Sequence, residues 1–264
     1  MIQWHQLFAS NLEAILRPVN VEVLSDVKVM AKTPMMDVLL LRRSEPRWTP
    51  EQMARLPDGI RNCTASHVLL EFKYTESLSE TVIHKAIGYD VFYKEFQKVD
   101  PQTAQSFIVS SKTPQAAFLT EFGYQQGAWS GVMESKLPVM RYLPLIILNE
   151  LSSEPHNLAF KIFASRRKQR LEAIEALLRR EDNVEFDYNV LSGLFQLWTN
   201  KEFDMNTTEL SNEKVIEMGR KFGRRYLQML PPEERMRGLS PDDVFKNYSP
   251  EQIKAYLKGL ESKS

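Results

Sequence analysis

The chain has 264 residues, 34 Lys+Arg against 34 Asp+Glu, four His and one Cys, and its formal net charge is zero. With 43% hydrophobic and 26% charged residues it has the composition of a globular protein with a sizeable core, which excludes a wholly disordered or collagen-like chain. The apolar runs fall well short of the ~20 residues a membrane span needs, and zero net charge excludes a uniformly basic coat while leaving room for a local basic patch.

The N-terminal segment MIQWHQLFAS lacks the basic and apolar regions of a secretory signal, and the single Cys63 cannot form an intramolecular disulfide. A cytoplasmic, reducing setting is therefore expected, with no membrane association.

In chain order, Trp4, Leu7, Phe8, Leu12, Ile15 and Leu16 recur at helical spacing and Pro18 follows, so the chain opens with a helix. Residues 21–30 read as a strand or hairpin. Val38 to Leu41 is a continuous apolar run, the pattern of a strand buried on both faces. Residues 44–66 form a polar insertion with one short helix, Thr49 as its N-cap and Pro50 at its first position. Val68-Leu69-Leu70 opens a second buried strand, reaching about Tyr74. Ser77 and Glu80 are spaced as a capping box and start a helix carrying Val82, Ile83, Ala86, Ile87, Val91 and Phe92. Phe107 to Val109 is a third buried strand, and residues 143–148 a fourth. The first ~150 residues are thus an α/β sandwich by pattern.

Beyond residue 156 the pattern is helical, with helices at 166–180, near 186–199 and near 211–229. A period of nine follows in units beginning at Leu230, Leu239 and Tyr248, each with a Pro at the first helical position and acids behind it. The expected division is a core at 1–155, a helical region at 156–229 and a repeat tail at 230–264 that acts as a surface appendage or oligomerisation element.

The candidate chemistry lies in Asp37 with Glu71-Phe72-Lys73. Residues two apart on a strand share a face, so Glu71 and Lys73 point the same way. If the strand after Asp37 pairs beside theirs, the two carboxylates converge and can hold a hard cation such as Mg²⁺, with an ammonium at hand to orient water or stabilise charge on a phosphate. The acid-x-Lys pattern alone is common here, recurring at Asp26/Lys28, Glu134/Lys136 and Glu261/Lys263. Only Glu71/Lys73 follows an apolar strand. The competing reading is an ion pair at a strand end.

The segments Thr33 to Leu41 and His67 to Ser77, with the helix–strand–strand–strand–helix–strand order, resemble the PD-(D/E)xK nuclease superfamily and its restriction-endonuclease-like fold, a mixed central sheet flanked by helices, here with a helical C-terminal part. Ile87 to Lys94 is similar to the helix after the active strand in those enzymes. The nonapeptide tail is similar to that of recombination-promoting nucleases, transposase-related proteins and allied bacterial proteins. The resemblance covers about residues 1–150. It implies a Mg²⁺-dependent endodeoxyribonuclease (Mn²⁺ substituting), with a link to mobile elements or recombination. In it Asp37 and Glu71 are the metal ligands and Lys73 is the catalytic lysine. The literal Pro-Asp pair is Pro57-Asp58, which makes Asp58 the alternative first carboxylate, although Asp58-Gly59 also reads as a turn. Glu13 is a further possible ligand, with a solvated role as its alternative.

Lys85 and Tyr89 stand where this family often carries a glutamine, and are candidates for phosphate contact or for a solvated helix edge. Arg166, Arg167, Lys168 and Arg170 form a basic cluster at a helix start, and Arg220, Lys221, Arg224 and Arg225 another; both are candidates for contact with the phosphate backbone. A homodimer would supply two sites for two strands. The other classes left open are a non-catalytic scaffold of the same fold and an RNA nuclease. His5, His67, His84 and His156 lack metal-site spacing, and no phosphate-binding glycine loop is present.

Overall fold

A computed structural model describes residues 4–24, 38–178 and 248–261, with isolated positions between 193 and 246. The chain divides into two compact units, Met1–Gly219 and Arg220–Ser264.

In the first unit, helix α1 (Trp4–Leu16) precedes β1 (Glu22–Leu24) and β2 (Val38–Arg42). The insertion carries α2 (Pro50–Met53), followed by β3 (His67–Lys73), α3 (Glu80–Gln97) and β4 (Ala104–Ser110). Next come α4 (Ala116–Glu121), the hairpin strands β5 (Tyr124–Gln126) and β6 (Val132–Ser135), β7 (Leu145–Ile147), α5 (Leu158–Lys161) and α6 (Arg167–Leu178). The described strands form one mixed seven-stranded sheet in the order β1-β2-β3-β4-β7-β6-β5. β3 runs antiparallel to β2 and parallel to β4, and β7 is parallel to β4. The protein is thus α/β, with a mixed central sheet flanked by helices, as the alternation of apolar runs and helical stripes requires.

Alternation along β3 separates two cores. Val68, Leu70 and Phe72 face α1, in a cluster with Leu7, Phe8, Leu12, Phe160, Phe163 and Ile174. Phe72 stacks on Phe8 (ring centroids 4.2 Å apart), and Tyr74 on Trp4 (3.8 Å). Leu69 faces α3 with Leu40, Tyr93 and Ala104. Because α5 and α6 pack into the α1-side cluster, that core continues past residue 155.

The insertion belongs to this core. Trp48, Leu56 and Ile60 are buried in it. Gln52 and Arg55 donate side-chain hydrogen bonds to the carbonyls of Val19 and Ile15, each at 2.8 Å. Thr49 caps α2 as expected, in a reciprocal box with Gln52.

Two local expectations change. Helix α3 starts at Glu80 with Ser79 as N-cap and no side-chain capping bond, so Ser77 lies two residues before the cap. The β5–β6 hairpin is additional. At Gly131 the backbone has φ +76°, and a Cβ there would lie 2.5 Å from the Leu151 nitrogen, so only glycine fits.

In the second unit, α7 (Pro250–Glu261) starts two residues into the last nonapeptide unit, with the expected cap, and runs beyond that unit. The Ser249 hydroxyl accepts from the Gln252 N–H at 3.3 Å, and the Gln252 side chain accepts from the Ser249 N–H at 2.8 Å. The predicted helices near 186–199 and 211–229, the second basic cluster (apart from Arg220) and most of the first two repeat units lie outside the described residues. Among the described residues no helix is long and apolar enough to cross a membrane.

One polar anchor joins the insertion to the segment before α5. Asn157, fully buried, donates to Asp58 Oδ2 (2.8 Å) and to Ser152 Oγ (2.8 Å) and accepts from the Asp58 N–H (2.9 Å). Asn157→Ala strands a buried carboxylate and an amide, at a cost of about 2–4 kcal/mol. A fall in melting temperature of roughly 5–15 °C is expected in a thermal unfolding scan; a fall under 2 °C would show that the anchor contributes little.

Candidate active site

Glu71 and Lys73 stand on the α3 face at the carboxyl end of β3. Their position follows from strand alternation: if Val68, Leu70 and Phe72 fill the α1-side core, then Glu71 and Lys73 must face the other way. Both are buried, at 3% and 9% exposure. Lys73 Nζ lies 2.8 Å from Glu71 Oε1 and 3.3 Å from Oε2 of Glu76, whose side chain is 66% exposed. Burial opposes the ammonium, but the charges and hydrogen bonds of Glu71 and Glu76 outweigh it, so the Lys73 pKa is held above its ordinary value. Lys73 is therefore a cation throughout the neutral range.

Register supplies the neighbours. Val38, which follows Asp37 in the sequence, pairs with Glu71, and Ile108 and Ser110 of β4 pair with Glu71 and Lys73. A cleft of about 10 Å³, close to the space one water needs, is lined by Leu69, Glu71, Ala86, Tyr89, Ser106 and Phe107. Ser106 donates to Asp90 Oδ1 (2.7 Å), and Lys94 pairs with Asp90 Oδ2 (2.7 Å).

Of the predicted site residues, the structure brings Glu71, Lys73 and Tyr89 together. Asp37 lies outside the described residues. Asp58 does not join them. It sits in the Asp58–Asn62 turn, among residues of the α1-side core, with its carboxylate against His156 Nε2 (2.9 Å) and Asn157. The turn reading of Asp58-Gly59 holds, with Gly59 at φ +88°. Glu13 is exposed on α1 and pairs with Arg17 at 3.4 Å. Lys85 is exposed on α3.

Arg166, Arg167 and Lys168 are exposed at the start of α6. Arg170 differs from them and is corrected as a backbone-contact candidate. It is 7% exposed, and its guanidinium donates to the Tyr74 hydroxyl (3.1 Å) and the Ser165 carbonyl (3.2 Å). Charge pattern does not distinguish such a buried, tethered arginine from its solvated neighbours.

Sequence reasoning missed Glu76, Asp90 and Ser106. Ser106 and Ser110 flank the apolar run Phe107–Val109 at even spacing, the one signal that β4 carries serines on the face of Glu71 and Lys73. Cys63 is half-buried, and burial pushes its thiol up, which leaves it a poor nucleophile.

Among the described residues, no group of three or more His, Cys, Asp and Glu side chains comes together to hold a metal ion. Glu71 supplies one buried carboxylate, the donor type that Mg²⁺ takes, and so fits one half of the ligand pair that the resemblance implies. The chain matches no family model, no curated protein and no solved structure.

Two outcomes follow from the buried pair. Glu71→Gln or Lys73→Met alone is expected to cost about 3 kcal/mol, because each leaves one partner buried and uncompensated, while the double substitution costs much less than the sum. Urea unfolding of all four proteins measures this coupling, and additive losses would show that the pair is not coupled.

The second outcome concerns alkaline pH. A pKa raised in the folded state gives stability that is complete below the ordinary lysine value of 10.5 and is lost as pH rises through the higher folded value. The stability gap between wild type and Lys73→Met should therefore be flat from pH 7 to about 10 and narrow above 10.5. A gap unchanged to pH 11.5 would exclude this linkage.

Proposed function

We propose that this chain is a metal-dependent nuclease that hydrolyses DNA phosphodiester bonds. The observation that carries the reading is the buried Glu71–Lys73 pair at the carboxyl end of a central strand, with the residue after Asp37 in register with Glu71. The order α1, β1, β2, β3, α3, β4, interrupted only by the short α2 of the insertion, with antiparallel, antiparallel and parallel strand neighbours, supports a restriction-endonuclease-like core. Ligands of mixed α/β sheets also gather outside the carboxyl ends of parallel strands, where β3, β4 and β7 end together.

Asp37 and Glu71 are the residues that would hold Mg²⁺, or Mn²⁺ in its place. A cation held there would supply a water of lowered pKa and neutralisation of phosphate charge. Lys73 keeps its proton at neutral pH, so its role is to donate hydrogen bonds and stabilise charge that develops on the phosphate, not to act as general base. Glu76 helps to hold the ammonium in place at the exposed mouth of the site.

A second reading, a non-catalytic scaffold of the same fold, is favoured by one observation: Lys73 is already neutralised by Glu71.

The test is cleavage of supercoiled DNA, single-stranded DNA and RNA with Mg²⁺ or Mn²⁺ by wild type, Lys73→Gln and Asp37→Ala. Metal-dependent cutting is expected, reduced about 10²–10³-fold by Lys73→Gln and abolished by Asp37→Ala. Cutting by Asp37→Ala at the wild-type rate would remove Asp37 from the site. Cutting of RNA alone would change the substrate. No cutting by wild type on any of the three, with no metal bound in calorimetry, would leave the scaffold.

A further inference from the structure

The loops after β3, β4 and β7 meet the start of α6 in one hydrogen-bonded rim. The Ser111 N–H donates to the Lys73 carbonyl at 2.9 Å, and the Ser165 N–H to the Ser111 carbonyl at 3.0 Å. Asn149 donates to Ser165 Oγ at 2.9 Å and accepts from the Arg166 N–H at 3.0 Å. Ser111 Oγ donates to the Phe163 carbonyl at 2.7 Å, and Lys112 Nζ donates to the Thr75 carbonyl. Arg170, by its bond to Tyr74, anchors α6 to the residue after Lys73. Two backbone hydrogen bonds therefore separate Lys73 from Ser165, the residue before Arg166. At strand-like spacing this is about 10 Å.

The charge on this rim is unbalanced. Lys73 is matched by Glu71 and Glu76, and Lys168 by Glu172 at 3.8 Å. Among the described residues, Lys112, Arg166 and Arg167 have no carboxylate within ion-pair distance, and all three are exposed. Arg166 and Arg167 also stand at a helix start, where cations are unfavourable. The three cations come from two separate segments of the chain, Lys112 from one and Arg166 and Arg167 from the other, which the Ser111–Asn149–Ser165 network fixes together. Unmatched cations held on a rigid rim suit a repeating anion better than a single one, since each can meet a successive phosphate.

We infer that Lys112, Arg166 and Arg167 form a track for the phosphodiester backbone of a nucleic-acid strand that passes the Glu71–Lys73 pair. The inference rests on the hydrolase reading for where the strand leads, but not for the binding itself. Arg170 is a positioning residue in this arrangement, since it fixes α6 and does not touch the strand.

The test is fluorescence anisotropy of the full chain with a labelled 30-nucleotide DNA, its duplex and the matching RNA, in EDTA so that nothing is cut, from 50 to 300 mM KCl. The rim variant is Lys112→Gln/Arg166→Gln/Arg167→Gln, and a control of equal charge change is Arg47→Gln/Lys98→Gln/Lys136→Gln. The rim variant is expected to bind at least about tenfold more weakly at 0.1 M salt, with the slope of log affinity against log salt reduced by about two to three. The control should keep the wild-type slope. A thermal scan checks that both variants fold, as six exposed side chains allow.

The DNA and RNA arms show which strand is preferred. The inference is overturned if wild type does not bind at 50 mM salt, if the rim variant binds like wild type, or if both variants weaken equally. Salt-dependent binding that the rim variant loses, without any cleavage when Mg²⁺ is restored, keeps the track and removes the hydrolase. Cleavage that the rim variant retains in full, with binding unchanged, does the reverse.

Discussion

A carboxylate and an ammonium cannot leave water separately without a cost of several kcal/mol each, and this constraint shapes the middle of the fold. Strand β3 has neighbours on both edges and cores on both faces, yet its last three residues include Glu71 and Lys73. They are tolerated because they meet each other at 2.8 Å and because Glu76 reaches the ammonium from the exposed side. A buried ion pair is a weak source of stability compared with apolar residues of the same size. Its contribution to stability alone therefore does not account for its place at the end of a central strand.

The two faces of β3 divide the labour. Phe72, between the charged residues, is gripped by Phe8 and by Phe163, whose ring centroids lie 4.2 and 5.9 Å away. Tyr74 is stacked on Trp4 and bonded to Arg170. These contacts fix the strand end from the α1 side, so the opposite side presents Glu71 and Lys73 from a rigid support. The insertion at 44–66 serves the same end, since its helix, Trp48 and Asp58 all tie into the α1-side core. Asp58 therefore has a structural task on the far face of the sheet, whatever its place beside a Pro in the sequence.

The strands that the apolar runs predicted were all found, because a strand covered on both faces has to be apolar throughout and leaves an unmistakable mark. Glu71 and Lys73 were legible for the complementary reason: charge inside such a run is an exception. The β5–β6 hairpin was not legible. Its strands have three and four residues, Gln125 and Gln126 are exposed, and the signal is diluted by Gly123, Gly127 and Gly131. Glu76, Asp90 and Ser106 were missed because they reach the site by different routes. Glu76 comes by the turn after β3, Asp90 by the packing of α3, and Ser106 by the parallel pairing of β4. Asp37 remains legible only in the sequence, as the residue before a strand that does pair with β3.

A net charge of zero is compatible with a polyanionic partner when the charges are sorted locally rather than in bulk. In this chain Lys73 is neutralised where it is buried, whereas Lys112, Arg166 and Arg167 are left unmatched where water can reach them. The sorting has a physical consequence. An exposed unmatched cation loses little when an anion replaces its hydration, and its contribution fades with salt. A buried, matched pair is screened much less and gains nothing from a distant phosphate. In the proposed reading, affinity and chemistry would be carried by different residues on one rim, so the surface that attracts a strand could change without disturbing the pair that would act on it.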